Sequence, residues 1–264
     1  MFPVYQTNRA YRTALTIAWF LSATVLLHGR VSAAGRARRE RNNPKKEAKN
    51  EAKADASRHV FRVRFDIHAV SDDGRLTGAV EITPSTALPT FIQSEPALAH
   101  KFNTALADNG LTIEGVAVRD GVLYAGMRGP VRDNGDAVLL SVPLAALFSG
   151  EKGETRPYFL NLGKDTMSNA RGVRDLVAFG NGFLVLAGPV QDPPHGEIKD
   201  GDYAVFWWDG TSSYKNLKDV HAYGKEIKPE AFIPLERKDK KLGVLLFFDG
   251  PDEGTPRAVD IDQP

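Results

Sequence analysis

A chain of 264 residues has room for one large domain with a sizeable core, or for two small ones. Its composition, 42% hydrophobic and 25% charged with 24 Gly and 16 Pro, excludes a polytopic membrane protein, a collagen-like chain and wholesale disorder. Cysteine is absent, and with it go disulfide scaffolds, thiolate zinc sites, iron–sulfur clusters, cysteine nucleophiles and lipoprotein acylation. The net charge of +1 is unevenly divided: residues 1–64 hold 14 Lys/Arg against 4 Asp/Glu, and residues 65–264 hold 20 against 29. So acidic a body repels a phosphate backbone, and no nucleic-acid partner is expected.

Residues 1–33 read as a signal peptide. Arg9 and Arg12 precede an apolar stretch from Ala14 to Leu27, and Val31 and Ala33 supply small residues before a cleavage point at Ala33 or Ala34. The core is short of the roughly 20 residues an untilted membrane helix needs. The protein is therefore expected in the periplasm or secreted, with no membrane span once the leader is removed. An uncleaved leader would instead anchor it to the membrane, and a third reading makes this stretch a strand or helix of the folded body. Residues 34–57 lack aromatic and large aliphatic side chains and carry many basic ones, the pattern of a solvated, disordered linker.

The remaining segment, 58–264, repeats itself. Ile113–Val118, a turn at Asp120-Gly121 and Val122–Met127 form one apolar hairpin; Val173–Phe179, a turn at Asn181-Gly182 and Phe183–Ala187 form another; Pro229–Leu235 and Leu242–Phe248 form a third. A Gly-Pro step closes each, at Gly129-Pro130, Gly188-Pro189 and Gly250-Pro251. Asp-Gly and Asn-Gly favour two-residue reversals because such turns need positive φ. Further strands are expected at 137–144 and 158–162 after the first hairpin and at 203–208 and 213–217 after the second. Four antiparallel strands per unit make a β-propeller blade. Residues 60–66 with 80–83, or alternatively 90–93, supply part of a preceding blade, and 257–261 part of a last one. The expected fold is thus all-β, a propeller-like array of two full and two partial blades. Its open blade edges make self-association available.

With these residues in view, IEGVAVRDGVLYAGMRGP, RGVRDLVAFGNGFLVLAGP, YAVFWWDG and PEAFIPLE with VLLFFDG resemble a bacterial domain of unknown function, family 3616, over residues 58 to 262. The resemblance implies a propeller-like all-β fold and no established activity. Members of the family carry further blade material upstream, where this chain has a leader and a basic linker, so it reads as a shortened member.

Equivalent positions in neighbouring blades converge on the central axis, which singles out Glu114, Asp175 and Glu230, one per hairpin. As a ring, these carboxylates would hold a hard cation such as Ca²⁺, or pair with Arg128, Arg171 and Arg174 as a charged funnel for a small polar ligand. The packing alternative has each carboxylate tie blade to blade through hydrogen bonds. The histidines show no paired metal-binding spacing, and Gly-x-Ser-x-Gly and phosphate-loop patterns are missing from the chain. Trp207-Trp208-Asp209-Gly210 and the acidic turns at 133–136 and 249–253 read as packing and turn chemistry. The leading expectation is an exported binding module for a small polar ligand or protein partner; the alternative is a metal-dependent phosphoesterase or esterase built on the axial carboxylates.

Overall fold

The structure, a computed structural model, describes residues 17–18, 59–250 and 255–264. The rest of the leader, the linker at 34–57 and the turn residues Asp252 and Glu253 lie outside the described residues.

The body is built from antiparallel sheets stacked face to face. The first sheet orders β1 (Ile17–Ala18), β2 (Val60–Phe65) and β3 (Val80–Ser85) side by side. The second contains β4 (Thr112–Arg119), β5 (Val122–Val131), β6 (Ala137–Pro143) and β7 (Arg156–Leu160). The third contains β8 (Arg171–Phe179), β9 (Gly182–Pro189), β10 (Ala204–Trp208) and β11 (Tyr214–Asp219). The last contains β12 (Lys228–Lys238), β13 (Lys241–Asp249) and β14 (Arg257–Asp262). Among the described residues, two four-stranded and two three-stranded sheets match the expected two full and two partial blades. Ile17 and Ala18, within the apolar stretch read as a leader, pair with Val63 and Arg62.

Two local expectations change. Residues 90–93, offered as a strand, lie in helix α1 (Leu88–Ser94), which starts with proline at its first turn and buries Leu88 and Ile92. Helices α2 (Pro96–Ala99) and α3 (Leu144–Phe148) complete this cap. The second hairpin reverses at Gly180-Asn181, one residue earlier than Asn181-Gly182. Gly180 takes φ +59, the glycine-first turn, whereas Gly182 is needed for closeness: a Cβ there would meet the Trp208 carbonyl oxygen at 2.3 Å.

Each interface between neighbouring sheets has its own apolar core. Leu88, Ile92 and Leu98 pack with Leu123, Met127 and Leu140 between the cap and the second sheet. Leu139, Val173, Phe183 and Trp208 fill the next layer, where Tyr124, Tyr158, Phe183 and Trp208 meet at ring-centroid distances of 4.5–6.2 Å. Leu184, Val205, Phe232 and Leu246 fill the third. These strands are buried on both faces, which explains their nearly continuous apolar sequence. The end sheets differ, with Ile82 on β3 60% exposed and Ile233 and Leu235 on β12 about half exposed. Their outer faces are therefore not packed on each other.

Candidate functional site

The site begins with three backbone irregularities. Near the start of β4, β8 and β12 the ladder skips one residue, leaving Glu114, Arg174 and Glu230 between paired neighbours. A β-bulge of this kind re-aims the extra side chain and breaks strict alternation. The three bulged residues, one from each of three successive sheets, meet at the axis. Nε of Arg174 lies 3.0 Å from Oε2 of Glu114, and its Nη2 donates to Oε1 of Glu230. The Arg174 side chain is 1% exposed.

Arginine therefore stands where the sequence reading placed a third carboxylate. Asp175 is one residue off the axis, and a one-residue step changes where a strand side chain points. Its Oδ1 accepts from the Leu176 N–H at 2.8 Å and its Oδ2 from the Phe232 N–H at 3.0 Å, fastening β8 to β12. Burial pushes this carboxyl up to about 6, with the two N–H donors working against the shift. Glu114, Asp175 and Glu230 do not converge on one point. A guanidinium, already cationic, lies between the two glutamates where a bound Ca²⁺ would have to sit. Among the described residues no group of three or more His, Asp or Glu side chains is arranged to hold a metal ion.

Around this centre lies a second layer of charge. Nη1 of Arg128 donates to Oε1 of Glu114 at 3.1 Å, its Nη2 to Oδ1 of Asp192 at 2.8 Å, and its Nε to the Val190 carbonyl at 2.7 Å. Lys228 approaches the other Asp192 oxygen at 3.2 Å and Asp249 at 3.7 Å. Asp192 is 55% exposed and bridges two cations at the rim. Burial acts to raise its carboxyl, but Arg128 and Lys228 outweigh it and hold the group below the usual carboxylate range. Glu230 moves the other way, raised by burial despite Arg174. For Arg174 itself, burial disfavours the charge, and Glu114 and Glu230 more than reverse that, so it stays cationic.

Tyr203, 1% exposed just before β10, packs its ring beside Arg174, whose guanidinium carbon is 5.9 Å from the ring centroid. Gly188 makes this possible, since a Cβ there would come within 2.4 Å of the Tyr203 ring and 2.9 Å of the Arg174 side chain. Arg171 takes no part. Its guanidinium donates to the backbone carbonyls of Leu162, Gly201 and Asp202, closing the loops before β8 and β10.

Of the six residues singled out from sequence, Glu114, Arg128, Arg174 and Glu230 meet, while Arg171 and Asp175 serve the backbone. Sequence reasoning missed Asp192, Lys228, Tyr203 and Gly188. A better alignment was available: matching Ile113 and Val116 with Val173 and Leu176 sets Glu114 against Arg174, because apolar positions rather than acidic ones mark the strand.

Stacked antiparallel blades with a salt-bridged axis define the molecule as an all-β, propeller-like protein. The chain belongs to the family described as "Protein of unknown function (DUF3616)", whose model matches residues 66–258. No curated protein and no solved structure matches it.

Proposed function

We propose that this protein is a binding module whose axial cluster receives a small polar ligand offering both a hydrogen-bond donor and an acceptor. One observation carries the reading: among the described residues, the hydroxyl of Tyr203, and Oε2 of Glu114 and Nε of Arg174 apart from their mutual ion contact, are buried there without a hydrogen-bond partner. The Glu114–Arg174 contact is close enough for charge attraction but lies off the hydrogen-bond line. An unmet buried polar group costs about 1–3 kcal/mol, and three together favour a molecule that satisfies them. Such a ligand would enter past Asp192, which is 55% exposed at the rim beside Arg128 and Lys228.

The test pairs wild type with Tyr203→Phe in thermal melts and calorimetric titrations against small sugars, polyols and hydroxy acids. At least one compound should raise the wild-type melting temperature, and the variant should lose that response. Without ligand, Tyr203→Phe should be more stable than wild type by about 1 kcal/mol, because it removes an unmet hydroxyl. A panel that never binds, or binding indifferent to the variant, rejects the reading.

We also propose that the protein works in the periplasm or outside the cell, on the strength of Arg9, Arg12, the apolar stretch and the small residues at 31–34. The mature N-terminus, sequenced from protein made in a bacterial host, should begin at residue 34 or 35. An intact residue 1 in the purified soluble protein would refute export by cleavage.

A further inference from the structure

Clefts among the described residues include two that open away from the axial cluster. The larger, about 350 Å³, is lined by His100, Lys101 and Arg132, but each already has an internal contact. Lys101 donates to the Asp108 carbonyl at 3.1 Å, Nδ1 of His100 lies 3.3 Å from the Pro96 carbonyl oxygen, and Arg132 sits 4.2 Å over the Phe159 ring. The smaller cleft, about 210 Å³, lies between the loop before β8 and the loop joining β9 to β10.

In the smaller cleft, two kinds of polar residue are easily separated. Asp165 and Asp202 shape the walls: Asp165 accepts from the N–H groups of Met167 and Asn169, and Asp202 from Thr166 and the Lys199 N–H. The side chains of His195, Glu197 and Lys199 make no hydrogen bond or ion pair among the described residues. Glu197 and Lys199 flank Ile198 on an extended segment, with Glu197 at φ −78 and ψ 96. Ile198 packs against the core between the third and last sheets, while Glu197 and Lys199 on either side of it are exposed to solvent. A carboxylate and an ammonium thus line one cleft without closing on each other.

We propose that this cleft binds a zwitterion, specifically a free α-amino acid. Lys199 takes its carboxylate and Glu197 its ammonium, and His195 adds a hydrogen bond. Met167, 52% exposed, and Pro193 provide an apolar wall for a short side chain. The volume corresponds to about seven waters, below the range of drug-sized pockets and suited to a ligand of under about ten heavy atoms. This site shares no residue with the axial cluster and stands or falls independently of it.

The experiment is calorimetric titration of the whole chain with L-alanine, L-valine and L-methionine, beside propionate and propylamine as half-molecules carrying one charge each. Wild type should bind at least one amino acid, and at least tenfold more tightly than either half-molecule. Glu197→Gln and Lys199→Met should each weaken that binding tenfold or more while leaving the melting temperature unchanged. Propionate binding as tightly as the amino acids, indifference to Glu197→Gln, or no amino acid binding would overturn the proposal.

Discussion

Arg174 carries the one positive charge that two glutamates from different sheets share, and its guanidinium has no route to water. Removing one member of a buried ion pair leaves the partner charge unmatched, which costs more than the pair contributes. Arg174→Met should therefore destabilise the protein by about 3 kcal/mol, the lower end of the usual range because the Glu230 side chain keeps 30% exposure. Urea unfolding of variant and wild type measures this, and equal midpoints would remove the residue from the stabilising network. Asp175 gives a pH signature instead. Its folded pKa is raised to about 6 from 3.8, so between these values the folded state holds a proton that the unfolded state has lost. The contribution is fully present below about pH 4 and is lost as pH rises through 6, by up to about 3 kcal/mol. Asp175→Asn cannot titrate, so the stability difference between variant and wild type should shift in the variant's favour from pH 4 to 7. A difference that stays flat across that window would contradict the buried carboxyl.

At the level of elements, the hairpins owe their register to turns and their axis to bulges. Asp120-Gly121, with φ of +49 and +76, is the two-residue reversal that the dipeptide announces. The bulges have no comparable marker, because any residue can be the unpaired one. They were nevertheless indirectly visible in the apolar spacing of Ile113/Val116, Val173/Leu176 and Phe232 after Glu230. The Gly-Pro steps mislead slightly, since strand pairing sets Ala187 opposite Val173 as Met127 is opposite Ile113, and so makes Gly188 the counterpart of Arg128. That difference has a physical use: where the second sheet carries a cation, the third leaves a gap that the Tyr203 ring enters. Gly188→Ala forces a methyl group against that ring and against Arg174, and should destabilise by about 1–3 kcal/mol. A melting temperature equal to wild type would mean that the ring and strand separate freely.

On the scale of the whole molecule, the described residues form three apolar cores between sheets, all built from residues 60 onward, and Ile17 and Ala18 pair with β2 beside them. A chain of residues 58–264 should accordingly melt within a few degrees of the full chain in differential scanning calorimetry; a large loss would assign the apolar stretch to the folded body rather than to a leader. The axial cluster also belongs to this scale, because Glu114, Arg174 and Glu230 are about 60 residues apart in the chain and touch only when the sheets stack.

By itself, the sequence determined the all-β class, the two complete and two partial sheets, the order of hairpins and four of the six axial candidates. These follow from alternation, turn dipeptides and repeat spacing, which are local and survive in one dimension. Tertiary structure alone decided that an arginine, not a third carboxylate, sits between the glutamates, and that Asp192 and Lys228 close the rim. It also decided that Glu197 and Lys199 stand unpaired over one cleft. The reason is geometric: a bulge marks the sequence only by an apolar spacing of three, which does not say what the displaced side chain meets, and loops that meet across a sheet end carry no shared period to reveal it.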